Sequence, residues 1–275
     1  MDVVTLGFAL FEVQPDWLTG ADPGLPSFRG VTVMADGSLL TAHAQDGHSL
    51  FRWASSGTFL GPFSTEIAVR DPHAVRCAPD GSVWIVDRAA HVVRRFTNEG
   101  ALLRTIGDED RPQYGAPLNH PAGVAADPDG TTIIGDGYGN SLLHVFDAEG
   151  EVLRSFGDVP GGMPVDQPHD VAFLPDQTVV VADKTRNRLV RFGIDGGLLA
   201  VVDGAYRPTS IDVLGDHILV LDETPRLSAY RLDLSVAGRC QPVAQKGHGV
   251  CADADGNIYI TEPAGPSRLT RLRRI

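Results

Sequence analysis

The stretch DPHAVRCAPDGSVWIVDRAAHVVRRFTNEGALLRTIG, residues 71–107, decides the architecture because its order of parts returns along the chain. An apolar segment ending in Val is followed by the turn PDG, an apolar run closed by an acid, a polar loop, a segment reaching Phe, and the turn EG. Each run has strand length, and the Gly-containing turns between them are hairpin signals. The same order recurs as HPAGVAADPDGTTIIGDGYGNSLLHVFDAEGEVLRSFG (120–157) and QPHDVAFLPDQTVVVADKTRNRLVRFGIDGGLLAVVDG (167–204). Weaker copies begin at Phe28, Arg207 and Lys246, which makes six. Each copy has room for about four strands of five or six residues, and a four-stranded sheet repeated radially is a propeller blade.

The sequence therefore predicts an all-β, six-bladed propeller occupying residues 1–275 as one domain. The sixth copy ends after three strands, whereas VVTLGFALFEV (3–13) precedes the first copy and has no unit of its own. This segment is expected to supply the missing outer strand and close the ring. With 31 Gly and 19 Pro among 275 residues, no window sustains a helical period for three turns.

Composition excludes several function classes. A hydrophobic content of 43% and a charged content of 21% allow a substantial core. The net charge of −12 comes with no basic stripe, so nucleic acid is not an expected partner. No stretch has the length of a membrane span, and the N-terminus lacks the basic and small-residue pattern of a signal peptide. Cys77, Cys240 and Cys251 are an odd set without the look of a disulfide framework, which fits a cytoplasmic protein.

One place in the repeat carries chemistry. Two residues before the recurring Val or Ile of each first segment stand Arg29, His73, Ala122, His169, Thr209 and His248. In a six-bladed ring these positions share height and radius, so the histidines, on alternate blades, point at the axis about 120° apart. Three imidazoles so placed form the His₃ set in which zinc keeps a fourth position open for water or substrate. Nitrogen ligation favours zinc among the available metals. Taken singly, each histidine reads as a turn or core residue; the alternation is what singles them out.

With these residues the chain resembles the NHL-repeat propellers, and among them the zinc-dependent peptidyl-α-hydroxyglycine α-amidating lyases. The resemblance covers about five of the six blades. PHAV, PHDV and GHGV look like the family's metal-binding strand starts, implying ligand roles for His73, His169 and His248. DGYGNSLLHVF (136–146) is similar to the segment holding its catalytic tyrosine, which implies a base at Tyr138. A free tyrosine titrates near 10, so such a base needs a cation beside it. Lys184, in VADKTRN, stands where the family has an arginine that holds the substrate carboxylate; charge is kept there and the bidentate fork is not.

Other positions depart from the family. Ala44 replaces an arginine beside the tyrosine, and Gly249 replaces an acid that helps bind a structural calcium, which leaves a calcium site doubtful. Cysteines that tie the tyrosine loop in secreted relatives fall on Asn119 and Gly139. Two residues are placed to compensate for Ala44. Arg29 shares the ring position of the histidines, and Arg88 follows the acid of its blade as Lys184 does. Either would lower the tyrosine's pKa or hold an anionic group; the structural alternative for Arg88 is an ion pair with Asp87 or Glu66.

The remaining candidates read as architecture. Asp87, Asp136, Asp183, Asp222 and Glu262 recur at one blade position, as expected of acids that accept backbone N–H bonds at a turn. His43 occupies that place in blade one, with His48 near it, and both are candidates to support the metal or the substrate. His91, His120, His144 and His217 share no register and are read as structural or exposed. The first functional expectation is a zinc-dependent lyase acting on a small-molecule or peptide-terminal carbinolamide. The alternatives are a zinc hydrolase or hydratase using the same histidines, and a non-catalytic propeller presenting its loops to a protein partner.

Overall fold

The computed structural model describes residues 2–20, 28–43, 50–243, 245–263 and 268–275. Among them every regular element is a strand, and the strands form six antiparallel sheets of four or five. Blade one runs Gly30–Val33, Leu39–Ala42, Leu50–Trp53, Phe59–Pro62, and blade two Pro72–Cys77, Val83–Asp87, Val92–Phe96, Leu102–Ile106. Blades three, four and five begin with the inner strands Gly123–Ala126, Pro168–Phe173 and Pro208–Leu214. Each inner strand lies against the inner strand of the next blade, and Gly249–Ala252 of blade six touches both Pro208–Leu214 and Gly30–Val33, so the ring is closed.

The periodic turns have the conformation their residues favour. Asp80 Oδ1 accepts the N–H of Ser82 at 2.9 Å and Asp127 Oδ1 that of Asp129 at 2.9 Å, and the glycines of these turns, Gly81 and Gly130, have φ of 82° and 90°. In the fourth copy Gln177 takes that place with φ 64°. The core is divided into six apolar clusters, each shared by two neighbouring blades. Val83, Ile85 and Phe96 pack with Leu40 and Leu50 between blades one and two, while Leu219, Leu221 and Leu227 pack with Ile258, Ile260 and Leu272 between five and six. Second strands such as Val83–Asp87 and Val179–Asp183 are buried along their whole length, because both faces of a blade are covered by neighbours.

Blade six is completed from the N-terminus, as expected, but by two strands. Leu269–Arg274 pairs with Leu10–Gln14, which pairs in turn with Asp2–Thr5, giving a five-stranded sheet. The segment read as one strand is broken at Gly7, whose φ is 84°, and its Leu6 N–H donates to Ala9 O at 3.2 Å.

The repeated acids lock the blades. Asp87 accepts the N–H groups of Arg70 and Asp71, Asp136 that of Asn119, Asp183 that of Asp166, Asp222 that of Tyr206, and Glu262 that of Gln245. These bonds tie the loop entering each blade to the end of its second strand. Arg94, buried beside Asp87, and His144, buried beside Asp136, occupy one place in the third strand: Arg94 pairs across to Ile85 and His144 to Ile134. His144 therefore does share a register, and its role is architectural.

Candidate metal centre and the funnel around it

Three local features aim the histidines at the axis. His73 and His169 sit at β-bulges, where the ladder skips between Pro72 and Ala74 and between Pro168 and Asp170; the extra residue leaves the ladder and turns inward. His248 precedes its strand, with its N–H donating to Thr261 O at 2.9 Å. The three rings form a near-equilateral triangle, with centroids 4.8, 5.0 and 5.1 Å apart. One nitrogen from each ring lies within 4.8 Å of the others.

The odd blades supply the other half of the arrangement through their backbone. Nδ1 of His73 lies 2.8 Å from Ala122 O, that of His169 2.7 Å from Thr209 O, and that of His248 3.2 Å from Arg29 O. A carbonyl oxygen only accepts, so each Nδ1 carries the proton and each Nε2 keeps its lone pair. The Tyr138 hydroxyl lies 3.0 Å from His73 Nε2 and 2.9 Å from His169 Nε2. One hydroxyl proton cannot satisfy two acceptors, and three lone pairs converging on a point have too few donors. A cation resolves that conflict, so the donor set fits a metal ion held by His73, His169 and His248. The space these rings share with the inner strands is about 20 Å³, room for one ion or a water.

Burial, followed by the His248 and Arg88 charges, holds His73 well below the usual imidazole range. Burial and the neighbouring His73 and Lys184 charges do the same to His169, and burial pushes His248 down to about 3. The three are neutral at ordinary pH, as ligation requires. Burial also raises the Tyr138 phenol above its ordinary value, against the opposing pull of Arg88 and Arg29. Those arginines therefore do not by themselves make Tyr138 a base at neutral pH.

The axis beside the histidines is not a calcium cage. Arg76 fills it, with Nη2 at 3.2 Å from Asp170 Oδ2, Nη1 at 3.1 Å from Asp212 Oδ1 and Nη2 donating to Ile211 O at 2.9 Å. A positive charge already stands between those carboxylates, and Gly249 offers none; the residues do not fit a second metal.

At the mouth, Arg29 Nη1 reaches Asp71 Oδ1 at 2.8 Å, and Arg88 reaches Asp71 Oδ2 through Nη2 at 2.7 Å. Arg88 thus pairs with Asp71, not Asp87 or Glu66, and its guanidinium lies 5.0 Å from the Tyr138 ring centre. Lys184, on the far wall, is nearly buried, with Nζ 3.1 Å from Glu223 Oε1. His43 is buried and stacked on Phe51, with ring centroids 5.4 Å apart, which makes it part of the core of blade one. Ala44 and His48 lie outside the described residues.

Sequence reasoning missed His120, Arg207 and Lys246. His120 joins Asp71, Arg88, Ala89 and Tyr138 around an open cleft of about 410 Å³. Arg207 and Lys246 both contact Glu223. The signal was available: Asp71, His120, Gln167, Arg207 and Lys246 each stand two residues before a ring position, and so form a second tier above the first.

The NHL repeat family model matches residues 166–192, a span that contains His169. This is a six-bladed propeller with an NHL repeat. Peptidyl-alpha-hydroxyglycine alpha-amidating lyase 1 of Drosophila melanogaster is 30% identical to the propeller over 89 residues, 31% of this chain and 16% of that protein. Lyase 2 of the same organism is 34% identical over 93 residues, 32% of this chain and 22% of that protein. The matches thus span less than a quarter of either relative. A streptogramin B lyase structure superposes with a TM-score of 0.66 at 13% identity, covering 99% of the propeller and all of that chain. A catalytically inactive virginiamycin B lyase from Staphylococcus aureus, with quinupristin, gives 0.63 at 16% identity over 92% of this chain and 82% of its own. At those identities the likeness establishes the fold. Asn119 and Gly139 are in contact: a Cβ on Gly139 would collide with the Asn119 side chain. None of the three cysteines is in a disulfide, and no helix is long and apolar enough to cross a membrane among the described residues.

Proposed function

We propose that this propeller is a zinc-dependent lyase that breaks the C–N bond of a small carbinolamide, N–CH(OH)–, with His73, His169 and His248 holding the metal and Tyr138 exchanging the proton. The observation that carries the reading is the Tyr138 hydroxyl lying within 3.0 Å of two of three converging imidazole nitrogens. The partial identity to two proteins named amidating lyases supports the reaction class.

When bound, a divalent cation at that point would lower the pKa of a coordinated hydroxyl and of the phenol beside it. The chain's own residues then account for the proton. Tyr138 as phenolate takes it from the carbinol; the oxygen's electron pair forms the C=O bond, the C–N bond breaks with its pair on nitrogen, and the tyrosine returns the proton to that nitrogen. An aldehyde and an amide leave. Arg88, against the Tyr138 ring, and Arg29 stabilise the phenolate charge. Lys184 faces an anionic group of the substrate.

The test is turnover of an N-acyl-α-hydroxyglycine by the parent protein and by Tyr138→Phe. The variant should keep its metal and lose activity by roughly 10²- to 10⁴-fold. Undiminished turnover in the variant would remove the tyrosine from the mechanism, whereas no turnover by the metal-loaded parent would favour a hydrolase or hydratase using the same three histidines.

A further inference from the structure

Charge at the mouth of the funnel is unevenly matched. On the wall formed by blades four to six, Glu223 faces Lys184 at 3.1 Å, Lys246 at 2.6 Å and Arg207 at 2.8 Å. On the wall of blades one and two, Asp71 is shared by Arg29 and Arg88. Among the described residues, five cations here meet two carboxylates, although the chain as a whole carries −12. The excess is not a loose surface feature. The Lys184 side chain is 6% exposed and shares its one carboxylate with two other cations. Burying a cation with so little counter-charge is costly unless something else supplies it.

The free donors face the opening. Each lysine keeps ammonium hydrogens beyond its contact with Glu223, Arg207 uses only Nε on that carboxylate, and the Lys246 and Arg207 side chains are 46% and 38% exposed. The histidine triangle has a cationic wall on either side: Arg88 lies 5.0 Å from the ring centre of Tyr138, whose hydroxyl is 3.0 Å from His73 Nε2, while the Lys184 N–H donates to Gln167 O, two residues before His169, and Lys246 stands two residues before His248. The reaction centre therefore lies between two separated cationic groups.

We infer that the substrate is a dianion that spans the axis, one anionic group on Lys184, Arg207 and Lys246 and the other on Arg29 and Arg88, with its reacting carbon over the three histidines. This rests on the reading of the histidine centre as the reaction site, and it adds Arg207 and Lys246 as residues that determine specificity. A monoanion leaves one wall uncompensated; a neutral amide leaves both.

The test is calorimetric titration of the protein, metal-loaded and chelator-treated, with malonate, succinate, glutarate, acetate and inorganic phosphate. The best dicarboxylate should bind the parent at least about tenfold more tightly than acetate. Lys246→Gln with Arg207→Gln should lower that ratio to about two or three, and so should Arg88→Gln, each variant keeping the parent's circular dichroism. Equal binding of mono- and dicarboxylates, a preference that survives in both variants, or phosphate matching the best dicarboxylate, which would place both charges on one wall, each overturns the inference. A dicarboxylate preference in protein that binds no metal would uphold the dianion mouth while rejecting the lyase reading, so the two can fail separately.

Discussion

At Glu223 a single carboxylate answers three cations, and its titration couples the mouth of the funnel to stability. Side-chain contacts with Lys246, Arg207 and Lys184 outweigh burial and hold it down to about 2, from an ordinary 4.5. A depressed acid contributes stability that is complete above 4.5 and is lost as pH falls through about 2. The parent should therefore exceed Glu223→Gln in urea stability at pH 6, with the gap closing between pH 4.5 and 2; a gap constant across that window would contradict the network. Lys184 works in the opposite direction: burial pushes it down to about 8, so its unfavourable charge weighs on the folded state below pH 8 and is relieved as pH rises toward 10.5. At this scale His73, His169 and His248 were legible because a six-fold repeat converts sequence spacing into angle. Their carbonyl partners were not, since a backbone oxygen belongs to any residue, and Ala122 or Thr209 carries no sign of the duty. Arg88 was mispaired in the sequence because Asp71 approaches it from the loop that enters the inner strand Pro72–Cys77, whereas Asp87 is its chain neighbour.

The N-terminal hairpin closes blade six through contacts that were only half readable. Its apolar run announced pairing, but VVTLGFALFEV contains none of the Asn-Gly or Asp-Gly turns that mark hairpins, so its division at Gly7 was invisible. The structure shows what that turn is for: Gly7 packs on Ala237 and Gly238 of blade five, and a Cβ on Gly238 would collide with Leu6 O. Gly238→Ala should therefore destabilise the protein by about 1–3 kcal/mol through overpacking at this contact. Phe11, fully buried between the hairpin and blades five and six, should cost about 3–5 kcal/mol on truncation to Ala. Urea unfolding measures both, and unchanged midpoints would mean that the hairpin is not the closure of the ring. At the same scale the repeated acids were read correctly as structural, because five equal residues at one blade position suit a latch better than a single catalytic event.

Across the whole molecule, six inter-blade clusters and a closed circle of inner strands hold the three imidazoles in register, so the centre is pre-formed by the architecture and not by its ligand. A metal bound to such a site stabilises the native state by mass action, and chelation should lower the melting temperature of the parent while leaving that of a His73→Ala, His169→Ala variant unchanged. The fold was legible because its repeat is written six times; the chemistry was less so, because it depends on which residues of different blades meet at the mouth. The most direct measurement is elemental analysis of the purified parent beside that double variant. One zinc per chain is expected in the parent and none in the variant; a parent that carries no divalent metal, even after incubation with zinc, would rule out the three-histidine metal centre.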